Sequence, residues 1–393
     1  MLNYEQLLSQ KAQALRPSGI RKFFDIAAEM EDVISLSVGE PNFKTPWPIR
    51  EAGIQSLQRS KTFYTGNAGL AELRREICRY LERRFGLSYH PETETVVTVG
   101  GSEGIDIFLR AVLDPGDELL VPEPCFVSYA PIAALIGAVP VPVPCRAEDA
   151  FHLTADALRA AITPKTKAMI FPFPNNPTGA VMRREQLEEI AAVLRQTNLL
   201  VLSDEIYAEL TYGGVPHVSL ASLPGMWERT VVVNGFSKAY AMTGWRLGYA
   251  CGPQPVISQM LKMHQFAIMC APTVSQMAAV EAMRSCDEAI QEMRDEYNMR
   301  RRLMVDRLNK MGLTCFEPRG AFYVFPSIRI TGMTSAEFCE ALLHSKRVAV
   351  VPGDAFGACG EGHVRISYSY SMEHLTEALH RIEAFLKERG IHA

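Results

Sequence analysis

Lys238 is the residue whose surroundings point most directly to chemistry. It ends the segment 234–238, which reads NGFSK and follows the apolar run 230–233. Eight residues further on, Arg246 lies in the segment 244–248, which reads GWRLG. An amine becomes a useful nucleophile when burial or neighbouring cations lower its pKa, and Schiff-base formation is a common use of it. Lys238 is therefore a candidate covalent anchor for a cofactor, and an ordinary solvated lysine is the alternative.

A rigid turn follows a second apolar run. The run 168–171 leads into the segment 173–179, which reads FPNNPTG and holds two prolines and a glycine. Such a turn fixes the directions of the Asn175 and Asn176 amides at the end of a strand. A plain Asn-Pro turn without a binding role would have the same residues.

An acidic residue, Asp204, directly follows the apolar segment 199–203. Open α/β sheets bind ligands at the carboxyl ends of their strands. Asp204 is therefore either a carboxylate of a binding site or a cap of the next helix.

In this order and spacing, the three segments resemble the pyridoxal-phosphate (PLP) aminotransferases of fold type I, class I/II, in the aspartate aminotransferase superfamily. Segments 18–23, 242–246 and 320–325 are most similar to the bacterial aromatic, aspartate and N-acetyl-diaminopimelate aminotransferases. The other matching segments extend over nearly the whole chain and lie at 37–43, 64, 68–74, 100–103, 124–129, 352–357 and 364–367.

The order of apolar segments predicts an α/β fold. Helical periodicity appears at 70–85 and 103–113, and seven short strands are predicted at 95–99, 118–121, 139–143, 168–171, 199–203, 230–234 and 247–251. Strands separated by helices predict a mostly parallel seven-stranded sheet covered by helices, which is the PLP-transferase fold type I in the resembling family.

The pattern changes after about residue 285. One long polar helix is predicted at 287–311, followed by two or three strands and two helices, the first opened by a capping box at 334–337. This predicts a second, smaller α+β domain, as expected for a chain of 393 residues. The resemblance implies that the amino-terminal segment packs with it. We therefore expect a large domain at 46–285 and a discontinuous small domain at 1–45 and 286–393.

Composition narrows the class of partners. The net charge of −4 and the pI near 6.2 give no electrostatic reason to expect nucleic acid or an anionic membrane as a partner. The sequence has neither a run of about 18 apolar residues nor an apolar signal core at its start, so a cytoplasmic protein is expected. Nine cysteines without a C-x-x-C pair favour reduced thiols, and no histidine spacing predicts a metal site.

The resemblance assigns a role to each end of the cofactor. Gly101 and Ser102 would offer backbone N–H groups to the phosphate. The side chains of Ser237 and Arg246 would also bind it. Phe126 would stack on the ring, and Asp204 would keep the ring nitrogen protonated. The remaining residues contacting the cofactor would be Asn176, Tyr207 and Lys238. A glycine turn, a core phenylalanine and a core tyrosine are the plain alternatives for Gly101, Phe126 and Tyr207.

Arg365 matches the arginine that binds the substrate α-carboxylate in the family, with Gly39 and Asn176 as second contacts; a surface arginine is the alternative. Carboxylate binding would then draw the two domains together. Tyr64 resembles the tyrosine that reaches the cofactor phosphate of a neighbouring subunit in the family. This resemblance implies a homodimer with shared active sites. The alternative is that Tyr64 packs within its own chain.

Three function classes follow. The favoured one is an aminotransferase that moves the amino group of an L-amino acid to a 2-oxo acid such as 2-oxoglutarate by a ping-pong mechanism. The alternative is a PLP-dependent C-S β-lyase. A PLP sensor fused to a DNA-binding module is disfavoured because no winged-helix segment is present. Residues expected at the substrate side chain are Ile20, Phe24, Tyr64 and Asn67. Arg16, Arg21 and Lys22 are candidate distal cations, although a solvated charge is the favoured alternative for each.

Overall fold

A computed structural model of the protein describes residues 2–15 and 30–391. Its central sheet has seven strands in the order β2-β8-β7-β6-β5-β3-β4. The strand bounds are β2 (Thr95–Thr98), β3 (Glu118–Glu123), β4 (Val139–Pro144), β5 (Thr166–Phe171), β6 (Leu200–Asp204), β7 (Thr230–Gly235) and β8 (Gly248–Cys251). Each lies where the sequence predicts a strand, so the predicted α/β fold with a seven-stranded sheet is confirmed.

The sheet is mostly parallel. Strands β4, β3, β5, β6 and β7 run in one direction, and β8 is antiparallel to both β7 and β2. Neighbouring positions of β6 pack on opposite faces, since Val201 joins one apolar cluster and Leu202 joins another. Because most of the strands are buried on both faces, they read as continuous apolar runs, which made them recognisable in the sequence.

Helices cover the sheet and connect its parallel strands. Two short helices, α1 (Tyr4–Leu7) and α2 (Gln10–Ala14), precede a short strand, β1 (Ile34–Ser35). The helices around the large sheet are α3 (Trp47–Gln58), α4 (Ala71–Phe85), α5 (Gly100–Val112), α6 (Tyr129–Ile136), α7 (Ala155–Ala161), α8 (Arg184–Leu194), α9 (Gln254–Ala267) and α10 (Thr273–Ser285). Helix α5 begins at Gly100 rather than at the predicted residue 103, so the glycines form its first turn instead of a loop before it.

A second apolar core lies in the carboxy-terminal part of the chain. It begins with α11 (Asp287–Lys310) and continues with β9 (Tyr323–Val324), α12 (Ser335–Lys346), β10 (Val348–Ala349), β11 (Val351–Pro352), β12 (Val364–Ser367) and α13 (Met372–Lys387). The four strands are short, and two or three had been predicted. The capping box is present, because Thr334 and Glu337 bond each other's backbone N–H at the start of α12.

This second core also takes residues from elsewhere in the chain. Strand β1 pairs in parallel with β10, and Leu36 is buried in the same cluster as α11 and α13. Such packing is what the predicted discontinuous small domain requires, and the division at residues 45 and 285 stays a prediction. Among the described residues, no helix has the length and apolar character needed to cross a membrane. The same residues contain no cluster of three or more His, Cys, Asp or Glu side chains able to hold a metal ion.

Candidate active site

A cavity of about 420 Å³ lies at the carboxyl ends of the parallel strands. Strands β5, β6 and β7 are parallel neighbours, so the residues that follow them meet at one edge of the sheet. The residues predicted to bind the cofactor or the substrate carboxylate, with the exception of Tyr64, line this cavity: Gly39, Gly101, Ser102, Phe126, Asn176, Asp204, Tyr207, Ser237, Lys238, Arg246 and Arg365.

Lys238 lies three residues beyond the end of β7, in the wall of the cavity. Its Nζ donates a hydrogen bond to the Gly39 carbonyl at 2.5 Å and lies 5.7 Å from the centre of the Phe322 ring. The pKa of Lys238 is lowered from 10.5 to about 8, mainly by burial; Arg365 and Arg246 contribute to the decrease, whereas Glu40 and Asp204 oppose it. A substantial fraction of this amine is therefore neutral near pH 8, unlike that of a solvated lysine.

Asp204 is the last residue of β6 and is buried. The Tyr129 hydroxyl donates to its Oδ2 at 2.6 Å, and the Ile206 N–H donates to its Oδ1 at 3.2 Å. Burial raises the pKa of Asp204, although these two hydrogen bonds oppose the rise. Within residues 2–15 and 30–391, Asp204 forms no ion pair, although Lys238 interacts with it electrostatically at longer range, so its carboxylate faces the cavity without a paired cation.

The first turn of α5 forms one end of the cavity. Gly100 has a φ of +73°, and a Cβ there would lie 2.9 Å from an Arg246 guanidinium nitrogen. A Cβ on Gly248 would lie 2.7 Å from the Gly101 nitrogen, so glycine is needed for β8 to approach this turn. Backbone N–H groups at a helix start, beside an arginine, make a binding site for an anion such as a phosphate.

Aromatic side chains form the walls between these groups. The Tyr207 hydroxyl lies 2.8 Å from the Tyr323 hydroxyl, and both rings are buried. The Phe126 ring is edge-on to the Tyr129 ring, with 5.6 Å between their centres. A flat ring that enters the cavity would thus meet apolar faces beside the Asp204 carboxylate.

Arg365, on β12, closes the opposite side of the cavity and is buried. Its Nη1 donates to Asn176 Oδ1 at 2.9 Å, and its Nη2 donates to the Ser37 carbonyl at 2.5 Å. Its Nε is buried without a hydrogen-bond partner, and no carboxylate pairs with it among the described side chains. Burial is the main cause that lowers the pKa of Arg365. A buried guanidinium without a carboxylate partner favours the binding of a carboxylate ligand.

Two tyrosines that line the cavity had been assigned no role from the sequence. Tyr129 bonds Asp204, and Tyr323 bonds Tyr207 and fills the space beside Gly39, where a Cβ would meet its hydroxyl. Tyr129 and Tyr323 lie in the segments 124–129 and 320–325, which resemble the family, but neither segment indicates what the tyrosine hydroxyl bonds. The partner of Tyr323, Tyr207, is 116 residues away in the chain.

Tyr64 lies outside the cavity, and its side chain is 76% exposed. Its loop is joined to the segment after α9, because Asn67 Nδ2 donates to the Met269 carbonyl at 2.8 Å. The other residues predicted near the substrate side chain, together with the candidate distal cations, lie outside the described residues: Arg16, Ile20, Arg21, Lys22 and Phe24.

The arrangement fits the pyridoxal phosphate that the resemblance implies. Asp204 is a buried carboxylate without an ion-pair partner among the described residues, so it is available to pair with a protonated ring nitrogen. Lys238 is an amine whose pKa is lowered toward neutrality, as a covalent anchor requires. The helix start and Arg246 suit the phosphate. These three groups line a single cavity, with aromatic walls between them.

Comparisons with known proteins agree with this fit. The family described as aminotransferase class I and II matches residues 31–382. An aspartate aminotransferase of Pyrococcus abyssi is 48% identical over 98% of this chain and 99% of its own length. The aromatic-amino-acid aminotransferase 2 of Thermococcus litoralis is 45% identical, with the same coverage. The crystal structure of an aromatic aminotransferase from Pyrococcus horikoshii OT3, 46% identical, covers 95% of this chain and 100% of its own, with a TM-score of 0.90. This chain therefore belongs to the class I and II aminotransferase family, and it is a transaminase that uses pyridoxal 5′-phosphate.

Proposed function

We propose that the enzyme transfers the amino group of an L-amino acid to 2-oxoglutarate in two half-reactions, with Lys238 holding the cofactor as a Schiff base. The observation that carries the proposal is the joint position of a Lys238 amine with a lowered pKa, a buried Asp204 carboxylate and a buried Arg365 guanidinium around one cavity. Each group supplies one need of amino-group transfer: a base, a charge partner for an electron-accepting ring and a carboxylate receptor.

Bound pyridoxal phosphate supplies a ring that accepts the electron pair left on the substrate α-carbon when its proton is removed. Lys238 Nζ would take that proton from the α-carbon and deliver it to the C4′ carbon of the bound cofactor, and it would carry a proton in the reverse direction in the second half-reaction. An amine can do both near neutral pH only if its pKa lies near the working pH, and that of Lys238 is lowered to about 8. Lys238 therefore serves as both anchor and proton carrier.

Asp204 holds the positive charge at the ring nitrogen. Its Oδ2 already accepts from Tyr129 and its Oδ1 from the Ile206 N–H, so the carboxylate is fixed before any ligand enters. A preorganised charge in a buried site stabilises developing charge more than a solvated one does. Tyr207 and Asn176 orient the ring oxygen, and Phe126 covers the ring face. Arg246, Ser237 and the first turn of α5 hold the phosphate.

Arg365 binds the substrate α-carboxylate in this proposal. The Arg365 guanidinium also bonds the Ser37 carbonyl, and Lys238 bonds the Gly39 carbonyl, so the segment that follows β1 contacts both groups. We assign 1–45 and 286–393 to a small domain and 46–285 to a large one. A substrate carboxylate would then join the two domains and exclude water from the cavity.

Replacing Arg365 by leucine is expected to raise KM for amino acids and for 2-oxo acids alike, because all of these substrates carry the same α-carboxylate. Loss of a charge-assisted fork costs about 2–5 kcal/mol. Steady-state kinetics of both half-reactions measure the effect. Arg365→Lys keeps the charge without the fork, so its KM should lie between those of the wild type and Arg365→Leu. Arg159→Leu, on the exposed face of α7, is the control and should keep the wild-type KM. An effect on only one substrate of a pair would mean that Arg365 contacts the substrate side chain instead.

We also propose that the working unit is a homodimer. The exposed apolar residues Leu57, Phe63, Tyr64, Phe266 and Met269 come from α3, from the end of α9 and from the two loops that contact each other near Asn67. Phe63 is 64% exposed and Phe266 is 88% exposed. A large exposed apolar surface marks a protein interface. A second copy covering this surface would place Tyr64 at the cavity of its partner, as the resemblance implies.

Mixing Lys238→Ala subunits with Tyr64→Ala subunits tests this assembly. If each site takes Lys238 from one chain and Tyr64 from the other, a mixed dimer has one site with both residues intact. Random exchange of equal amounts should restore about a quarter of the wild-type sites. Activity above that of either parent would therefore appear on exchange. No recovery, despite proven heterodimers and an impaired Tyr64→Ala parent, would place Tyr64 in its own chain or in no site.

A panel of amino donors with 2-oxoglutarate tests the function itself. Relatives of similar identity are named for aspartate and for aromatic amino acids, so both donor types belong in the panel. We expect one oxo acid and one glutamate to form for each donor consumed. Cystathionine without an added oxo acid is the control: release of pyruvate in that reaction, without glutamate formation from the panel, would identify a β-lyase instead.

A further inference from the structure

A carboxylate lies in the first turn of the helix that forms the phosphate end of the site. Glu103 is on α5, and its Oε2 accepts the Val99 N–H at 2.5 Å, just before the helix begins. Its Oε1 lies 2.6 Å from Nδ1 of His264 on α9. His264 is fully buried, and the Glu103 side chain is 10% exposed. The pair joins two segments that are 161 residues apart.

Glu103 creates an electrostatic problem for this end of the cavity. The start of a helix attracts anions through its free N–H groups, and a carboxylate in the first turn competes for the same donors. It would also repel a phosphate placed there, since like charges are unfavourable in a partly buried site. A freely rotating Glu103 would therefore oppose phosphate binding at Gly101 and Ser102.

His264 restrains this carboxylate. A carboxylate oxygen can only accept, so His264 Nδ1 donates the proton in their hydrogen bond. The bond holds Glu103 against the Val99 N–H, which leaves the N–H groups of Gly101 and Ser102 for the phosphate.

The other ring nitrogen of His264, Nε2, is buried without a hydrogen-bond partner in the described part of the chain. A buried polar atom without a partner costs stability, so an apolar side chain would pack α9 against α5 at lower cost. Packing alone therefore does not account for a histidine at this position, whereas a bond to Glu103 does.

We propose that His264 and Glu103 are positioning residues for the cofactor phosphate. His264 keeps the Glu103 charge directed at the Val99 N–H and so leaves the first turn of α5 free for a dianion. This inference rests on the proposed phosphate site and adds to it a pair that contacts neither cofactor nor substrate. Its specific consequence is that the pair affects the binding of the phosphate group rather than that of the ring.

The test compares pyridoxal phosphate with pyridoxal, which lacks the phosphate. The dissociation constant of each is measured by absorbance titration of cofactor-free full-length protein. His264→Leu should weaken pyridoxal phosphate binding by about tenfold and leave pyridoxal binding unchanged. Adding Glu103→Gln to His264→Leu should restore the affinity for pyridoxal phosphate, because the competing charge is gone. An equal loss for both ligands would overturn the inference and leave a structural role for the pair.

A matched pair of variants guards against a folding defect in His264→Leu. The side-chain nitrogen of asparagine takes the position of His Nδ1, whereas that of glutamine takes the position of Nε2. His264→Asn should therefore keep the wild-type ratio of the two dissociation constants, and His264→Gln should lose part of it. Equal ratios in these two variants would overturn the inference. A wild-type protein with no preference for pyridoxal phosphate over pyridoxal would instead contradict the proposed phosphate site itself.

Discussion

Lys238→Ala is expected to abolish transamination and the yellow colour of the holoenzyme. Both the covalent link to the cofactor and the proton carrier are lost in this variant. Loss of the proton carrier alone costs roughly 10²–10⁴-fold in rate. Peptide mapping after borohydride reduction should find the cofactor on Lys238 in the wild type. Lys262→Ala, on the exposed side of α9, is the control and should keep the wild-type rate. A Lys238→Ala protein that still transaminates, with the cofactor fixed on another lysine, would show that Lys238 is misassigned.

The same variant should not be less stable than the wild type without cofactor. Burial lowers the pKa of Lys238 to about 8 from 10.5, so the unfolded chain binds more protons between these pH values. The cost of holding the charged amine is therefore present in full below about pH 8 and fades as the pH rises toward 10.5. At pH 7, alanine removes that cost. Thermal unfolding of the cofactor-free proteins checks this, and it separates a catalytic defect from a folding defect.

The strands were predictable because most are buried on both faces. The segments ending at Phe171, Asp204 and Gly235 read as short, mostly apolar runs. The sequence could not reveal that β8 runs antiparallel between β2 and β7, because that order depends on pairings between strands distant in the chain. The start of α5 was misplaced because Gly100 and Gly101 are poor helix formers that occupy a helical turn here.

The site residues at the strand ends were predictable because parallel strands place their carboxyl ends at one edge of the sheet. Parallel strands bring Asp204 and the segment before Lys238 to one edge, and resemblance to a family identified them. Residues that act through a partner were not predictable. Tyr129, Tyr323 and His264 acquire their partners only when distant segments fold together. The segments that contain Tyr129 and Tyr323 resemble the family, but they do not indicate these partners. Tyr64 remains a prediction because its proposed partner belongs to another copy of the chain.

Asp204→Asn is expected to slow transamination by on the order of a hundred- to a thousandfold. Asparagine keeps an acceptor for the Tyr129 hydroxyl but lacks the charge that holds a proton on the ring nitrogen. Removing a preorganised group that stabilises a developing charge costs about 3–4 kcal/mol. Asp204→Ala should be similarly slow. Single-turnover measurements of the first half-reaction follow the loss, and full activity in either variant would contradict the role of Asp204.

Asp204→Asn should slow the reaction without lowering the stability of the folded protein. Burial raises the pKa of Asp204, so the folded protein holds its proton more tightly than the unfolded chain does. Stability therefore falls as the pH rises from the pKa of Asp204 in the unfolded chain through its higher pKa in the folded protein, and the cost of the buried charge is complete above the latter. Asp204→Asn removes that cost, and we expect the cofactor-free variant to melt at the wild-type temperature or above it. A protein that is slower yet no less stable has lost a functional group rather than its fold.

Glu205, the next residue along the chain, provides the matched control. Its carboxylate accepts hydrogen bonds from Ser203, Ser219 and His217, and it does not line the cavity. Asp204 and Glu205 are thus adjacent buried acids, one facing the cavity and the other satisfied by hydrogen-bond donors from the protein. Glu205→Gln should lower the melting temperature, since a network of buried bonds is disturbed, while the rate of the first half-reaction stays near that of the wild type. If Glu205→Gln slowed the reaction as much as Asp204→Asn does, the loss in Asp204→Asn would reflect a general disturbance at the end of β6 and not the charge facing the ring.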